Sequence, residues 1–426
     1  MSPPEGTVTV PGSKSLTNRA LVAAALAEGT SHLEGALRSD DTAAMVGCLR
    51  ALGVDVEEAG SAARPELVVH AHVAGRWADD AHLDARLSGT TARFVLPVLA
   101  LGRGTVRLDG DAPLRARPMG DGLVAVGALG AEVREEGEPG HLPVTVAGGP
   151  VAGGTVSVRG DVSSQFLSGL LLAAPAMARG LQIEVDGVLV SRSYVELTRT
   201  VMAAFGATTR WRDAATLEVA AGGYRATRYV VEPDASTASY VLAAAALVPG
   251  ARLRVEGLGE PPLQGDWAFA DVLADMGADV HRGSGWLEVR GGPTLHGITV
   301  DLNDLSDTAQ TLAILAVFAE GPTEITGIGF IRRKETDRVG NVVAELRRCG
   351  IEAHERDDGY VVHPGAPRPA VVRTYDDHRM AMSFALLGLR ADGIAIADPA
   401  CVAKTFPGYW AMLSGLGVGL GAPASR

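Results

Sequence analysis

The sequence predicts an α/β protein of two domains, each built from three similar units with apolar helices packed inside sheets. Three observations lead there. First, a glycine ends a helix-like apolar run and opens a strand-like alternating stretch six times, at Gly29, Gly104, Gly180, Gly250, Gly321 and Gly393, at intervals of 70 to 76 residues. Second, another glycine series falls between these: Leu52-Gly53-Val54-Asp55-Val56, Leu129-Gly130-Ala131-Glu132-Val133, Phe205-Gly206-Ala207, Met276-Gly277-Ala278-Asp279-Val280 and Cys349-Gly350-Ile351-Glu352-Ala353, with a weaker copy at Leu416-Gly417-Val418. Third, the runs 20–27, 166–177, 238–247, 309–318 and 380–389 are apolar almost all round. A helix that is hydrophobic on every side belongs in an interior.

Each glycine suits a left-handed position just past a helix end, where a Cβ would be penalised. The unit therefore holds two helices and several strands. One such unit buries its apolar faces poorly by itself, so stacking of units is expected. An ordinary doubly wound sheet would explain alternating elements but not two interleaved glycine series. The chain is broken at Val231-Glu232-Pro233-Asp234, after three units, and again at Pro11-Gly12. If the first strand joins the last three units, one domain is 13–232 and the other 1–12 plus 233–426. The two crossings then lie side by side next to Lys14, and a ligand cleft is expected between the domains.

At 426 residues, with 47% hydrophobic and 21% charged residues, the chain is long enough for two or three globular cores. A net charge of −12 argues against generic binding to nucleic acid or anionic membrane. Cys48, Cys349 and Cys401 form no CxxC pair and match no metal spacing, so they are expected to be reduced thiols in the cytoplasm. No metal or cofactor is expected. The N-terminus shows no signal-peptide pattern, and apolar runs such as 241–248 are too short to span a membrane.

Against this acidic background, basic groups gather at a few points. Arg332, Arg333, Lys334 and Arg338 share seven residues with Glu335 and Asp337, just ahead of an amphipathic stretch. Gly12-Ser13-Lys14-Ser15-Leu16-Thr17-Asn18-Arg19 opens one helical run, Asp376-Asp377-His378-Arg379 opens another, and Lys404 stands in a short loop. A cation in the first turn opposes the helix dipole by roughly 0.3–1 kcal/mol. Its repetition makes sense if an anion is held there, with backbone N–H groups also pointing at it. Clustered guanidinium groups suit carboxylate and phosphate, and a nearby carboxylate can move a proton.

These motifs, taken in order with Ser163-Ser164-Gln165-Phe166, Asp377-His378-Arg379-Met380-Ala381-Met382 and Lys404-Thr405-Phe406-Pro407, resemble the 3-phosphoshikimate 1-carboxyvinyltransferase (EPSP synthase) family over essentially the whole chain. The resemblance implies two domains of three βαβαββ units, an inside-out α/β barrel. It implies transfer of the enolpyruvyl group of phosphoenolpyruvate to the 5-hydroxyl of shikimate 3-phosphate, by addition and elimination, in a monomer.

For shikimate 3-phosphate the resemblance implies Lys14, Ser15, Arg19, Ser163, Ser164, Gln165, Ser191, Tyr194, Asp307 and Lys334. For phosphoenolpyruvate it implies Lys14, Gly89, Arg117, Gln165, Arg338, Arg379 and Lys404. Asp307 matches the family's substrate-binding aspartate and expected base, Glu335 the proton donor or shuttle, and Lys14 a group between both substrates. Without the resemblance, Ser163, Ser164 and Asp307 read as ordinary helix caps and Gly89 as a helix-start glycine.

Three positions depart from the family pattern. Leu87 and Phe330 stand where asparagines are usual, and Phe94 where a proline is common. Phe330 bears on the acceptor, because a ring cannot replace an amide hydrogen bond. A paralogue acting on another shikimate-like alcohol is the alternative. The sibling enzyme acting on UDP-N-acetylglucosamine carries a reactive cysteine at the position of Ala112, and this chain has none nearby.

Overall fold

A computed structural model of the protein describes residues 3–61, 64–71, 77–149, 151–258 and 262–421. The chain divides into two compact units, Gly12–Glu232 and Met1–Pro11 with Pro233–Arg426. Gly12 belongs with the first of these, one residue earlier than the sequence suggested. Gly12 packs against that unit so closely that a Cβ on it would lie 1.9 Å from the carbonyl oxygen of Gly35. Beyond it, the Ser13 N–H donates to Glu232 O at 2.8 Å, while the Asp234 N–H donates to Pro11 O at 2.9 Å.

In the unit Gly12–Glu232, two four-stranded sheets and one five-stranded sheet repeat one pattern. His82–Asp84 runs parallel to Gly104–Asp109, which pairs antiparallel with Val144–Gly148, which pairs antiparallel with Glu132–Glu135. The set Gly154–Arg159, Leu181–Asp186, Thr216–Val219 and Thr209–Trp211 is built the same way. The parallel step needs a crossover, and the helices Gly89–Ala100 and Ser164–Ala173 supply it. The remaining sheet takes its parallel edge from far along the chain: Arg228–Val230 pairs with Ala27–Glu34. The unit thus closes on itself, its last strand completing its first repeat.

The second unit solves the same problem with the N-terminus. Glu5–Val8 pairs parallel with Arg252–Val255 and completes the fourth repeat. The fifth repeat is Thr299–Asp301, Thr323–Thr326, Gly359–Val362 and Ala353–Arg356. The sixth has the parallel pair Ala370–Val372 and Ile394–Ile396, and no closing hairpin among the described residues.

Helices alternate between inner and outer places. Every residue of Gly89–Ala100, Ala235–Leu247 and Ala309–Ala316 is buried. Full burial of a large apolar side chain stabilises by about 1.5–3 kcal/mol, so these runs anchor each core. The outer helices Arg192–Ala204 and Gly340–Arg348 are two-faced. Close contact of the inner helices depends on Gly169, where a Cβ would sit 2.4 Å from Arg93 O. That carbonyl lacks its usual helical donor because Pro97, four residues on, has no N–H.

The second glycine series behaves as its spacing predicts. Gly53, Gly130, Gly206, Gly277, Gly350 and Gly417 all have φ between +78° and +99°. Each ends a helix by the same pair of bonds, as when Gly53 N–H reaches Arg50 O and Val54 N–H reaches Leu49 O. The first series differs. Its helices end at Ala25 and Ala100, whereas Gly29 lies inside the strand Ala27–Glu34 and Gly104 begins the next. Gly29 therefore lies within a strand and Gly104 at the start of one, and neither is a helix cap.

Candidate active site

In the unit Gly12–Glu232, the first turn of the helix Gly89–Ala100 gathers several of the expected groups. Ser88 caps it by accepting the Thr91 N–H at 3.2 Å. Gly89 faces Arg117 so closely that a Cβ would lie 2.7 Å from three atoms of the guanidinium. Thr90 Oγ1 accepts from Gln165 Nε2 at 3.2 Å. Thr91 donates to the carbonyl of Asp41 at 3.4 Å, and the Asp41 carboxylate pairs with Lys14 Nζ at 3.5 Å. Three consecutive residues thus touch Arg117, Gln165 and the partner of Lys14. The start of a helix already attracts anions, and a lysine and a buried guanidinium strengthen that.

Arg93, which sequence reasoning missed, orients Gln165. Its Nη1 donates to Gln165 Oε1 at 2.7 Å, and its guanidinium lies 5.0 Å from the centre of the Phe166 ring. Ser163 is the cap of the helix Ser164–Ala173, accepting the Gln165 N–H at 3.3 Å. Ser164 is buried in the first position of that helix.

Arg19 is buried at 2% exposure, and its guanidinium donates to four neutral oxygens. Nε donates to Thr198 at 2.7 Å, Nη1 to Ser15 O at 2.9 Å, and Nη2 to Ser168 at 3.4 Å and Tyr194 O at 3.2 Å. Its guanidinium also lies 5.0 Å from the Phe94 ring centre and 5.9 Å from that of Tyr194. Burial lowers its pKa to about 10. Ser15, Arg19 and Tyr194 are therefore joined directly. Ser191 precedes the helix Arg192–Ala204 with φ +52°, a left-handed turn that is costly for a side-chain-bearing residue. Phe94 stacks on Arg19, so its departure from the usual proline has a role in this chain.

In the other unit, charges interlock. Arg338 is 2% exposed. It holds Asp377 through Nε at 2.7 Å and Nη2 at 3.1 Å, Glu335 through Nη2 at 2.8 Å, and Asp307 through Nη1 at 3.3 Å. Arg379 holds the same Asp307 carboxylate at 2.6 Å, donates to its carbonyl at 2.9 Å, and reaches the Tyr240 hydroxyl at 3.4 Å. Lys404 Nζ lies 3.6 Å from Glu335. Burial alone would lower the pKa of Arg338, but Asp377, Glu335 and Asp307 more than offset it and raise it.

Asp307 does not cap a helix. It stands in the turn Asn303–Thr308, and its carboxylate faces the two arginines. Asp377 does cap one, accepting the Arg379 N–H at 2.9 Å. Asp377 thus meets one N–H group of that helix start itself. Asp377, though it lies in the motif Asp377–Met382, was not among the expected site residues. Nor was Asp266, buried and accepting from Ser236, whose carboxyl is raised to about 7 by burial and then by the charge of Asp307. Lys334 follows the turn Gly329–Arg333, its ammonium 5.7 Å from the centre of the Phe330 ring.

The structure thus joins Lys14 to Asp41, Gly89 to Arg117, Gln165 to Arg93 and Thr90, and Arg19 to Ser15 and Tyr194. It joins Asp307, Glu335, Asp377, Arg338, Arg379 and Lys404 into one cluster. Three cations there meet three carboxylates, a balance that an incoming anion would have to rearrange.

The family model described as EPSP synthase (3-phosphoshikimate 1-carboxyvinyltransferase) matches residues 1–413. A 3-phosphoshikimate 1-carboxyvinyltransferase from Nostoc punctiforme is 46% identical, over 96% of this chain and 95% of its own. One from Bordetella bronchiseptica is 43% identical, again over 96% and 95%. The solved EPSP synthase of Acinetobacter baumannii superposes with a TM-score of 0.81 at 28% identity, covering 98% of this chain and 96% of that one. The chain belongs to the 3-phosphoshikimate 1-carboxyvinyltransferase (EPSP synthase) family.

Proposed function

We propose how these residues divide the family's reaction, the transfer of the enolpyruvyl group of phosphoenolpyruvate to the 5-hydroxyl of shikimate 3-phosphate with release of phosphate. Ser15, Arg19, Ser163, Ser164, Gln165, Ser191 and Tyr194 hold shikimate 3-phosphate, with Lys14 and Lys334 on its charge and Asp307 on its ring hydroxyls. Lys14, Gly89, Arg117 and Gln165 from one unit and Arg338, Arg379 and Lys404 from the other hold phosphoenolpyruvate.

The observation that carries this reading is that Asp307 and Glu335 share one guanidinium, that of Arg338, at 3.3 and 2.8 Å. An anion that engages Arg338, Arg379 and Lys404 competes with both carboxylates for those cations. Asp307 accepts the proton of the 5-hydroxyl as its oxygen bonds to C2 of phosphoenolpyruvate. Glu335 supplies the proton that C3 takes up. Elimination then breaks the C2–O bond to phosphate and returns a proton from C3. Arginine and lysine groups placed where charge develops are a large source of rate acceleration. The expressed enzyme is read as a cytoplasmic monomer. Three cysteines without disulfides support a reducing compartment, and no helix of the described residues is long and apolar enough to cross a membrane.

Phosphate release from phosphoenolpyruvate, measured with shikimate 3-phosphate, shikimate or no acceptor, tests the reading. Release dependent on shikimate 3-phosphate is expected. Release only with another cyclic alcohol would reassign the acceptor and implicate Phe330 in specificity.

A further inference from the structure

The repeat places three side chains on one solvent face at the same point of each complete unit. They are the residues two and four positions after the helix-ending glycine, which share a strand face, and the cross-strand partner of the first. In the first unit these are Asp55, Glu57 and His70. In the fourth they are Asp279, His281 and Arg290. In the fifth they are Glu352, His354 and His363. The Ala353–Val362 pairing and the bond from the His363 N–H to Glu352 O, at 2.9 Å, set that register.

We propose that Glu352, His354 and His363 form a surface site for a borderline divalent transition-metal ion of the zinc type. Their donors already converge: one ligand atom from each lies within 4.8 Å of the others. His354 Nε2 is 3.0 Å from Glu352 Oε1, and the two imidazole rings stand at 90° with centres 5.5 Å apart. A tetrahedral zinc ion with bonds of about 2.1 Å holds its ligands roughly 3.4 Å apart. Rotation of two exposed side chains and one half-buried one closes that gap, with the hairpin backbone fixed. Two imidazoles and a carboxylate leave a fourth position for water and suit zinc, nickel or copper over magnesium or calcium.

The chain carries its own controls. At the matching place in the fourth unit Arg290 replaces the second imidazole and pairs with Glu288 at 2.9 Å, so a cation is already there. In the first unit a single imidazole stands among two carboxylates, with His70 Nδ1 also 2.9 Å from Thr30 Oγ1. That set is harder and weaker toward zinc.

Zinc titration of the chelator-treated full-length protein against a chromophoric indicator tests the site. One equivalent should bind. His354→Gln and His363→Gln should each weaken it at least about tenfold, since even an outer-shell change at such a site costs that much. His70→Gln should leave it unchanged. Cobalt(II) in place of zinc should show no thiolate-to-metal band. The proposal is overturned by unaltered affinity in the His354→Gln/His363→Gln double variant, by loss of the site in His70→Gln, or by a thiolate band.

Discussion

Arg338 grips Asp377 with two parallel hydrogen bonds, of 2.7 and 3.1 Å, and both side chains are essentially without solvent. The pair ties the loop before the helix Gly340–Arg348 to the start of the helix His378–Ala385. Removing one member of a buried pair leaves the other charge uncompensated, at a cost of about 3–5 kcal/mol. Glu335 and Asp307 remain on Arg338, so Asp377→Asn should fall near the lower end, about 3 kcal/mol. Denaturant unfolding measures this. A change under about 1 kcal/mol would show that the other two carboxylates suffice.

Asp307→Ala separates chemistry from binding. A positioned base is worth roughly 10²- to 10⁴-fold in rate, so kcat should drop by that order. The same change strips a carboxylate from Arg338 and Arg379, leaving the cluster more positive. Affinity for phosphoenolpyruvate should therefore hold or rise. Steady-state kinetics with ligand-binding calorimetry distinguishes the two effects, and unchanged turnover would remove Asp307 from its role as base.

The repeat was legible because two backbone demands recur. Gly53 and its five counterparts all need positive φ at the same turn, and that demand is written in one residue type. The inner helices were legible because burial on every side leaves no polar face. The links among site residues were not. Arg93 reaches Gln165 across 72 positions and Arg338 reaches Asp377 across 39, so no local spacing could announce them. Asp266 looked like any acidic residue near a helix start. Only burial beside Ser236 and Asp307 sets it apart. Phe330 read as a lost amide contact, and the structure adds that its ring faces Lys334.

Gly89→Ala tests the close approach to Arg117. The added Cβ would lie 2.7 Å from the guanidinium, which must move away. One charge-assisted hydrogen bond contributes about 1.5–3 kcal/mol, so KM for phosphoenolpyruvate should rise roughly 10- to 100-fold. KM for shikimate 3-phosphate should change less, because the bonds that join Arg19 to Ser15 and Tyr194 do not involve Arg117. Equal rises in both constants would mean that the helix start itself had been distorted.

Asp266 makes a prediction about pH. Its carboxyl is raised from 3.8 to about 7 in the folded protein by burial, with the Asp307 charge second. Between those values the folded state binds a proton that the unfolded state has released. The stabilisation from this group is therefore full below about pH 4 and is lost as pH rises through about 7. At 1.36 kcal/mol per pKa unit the total is roughly 4 kcal/mol. Asp266→Asn removes the titrating group while keeping a hydrogen-bonding partner for Ser236. Its unfolding free energy should fall less steeply than the parent's between pH 4 and 7, and the two curves should diverge most near neutrality, where the parent carries a buried charge. Parallel curves across that window would mean that Asp266 keeps an ordinary carboxylate pKa, and that the charge of Asp307 is screened from it.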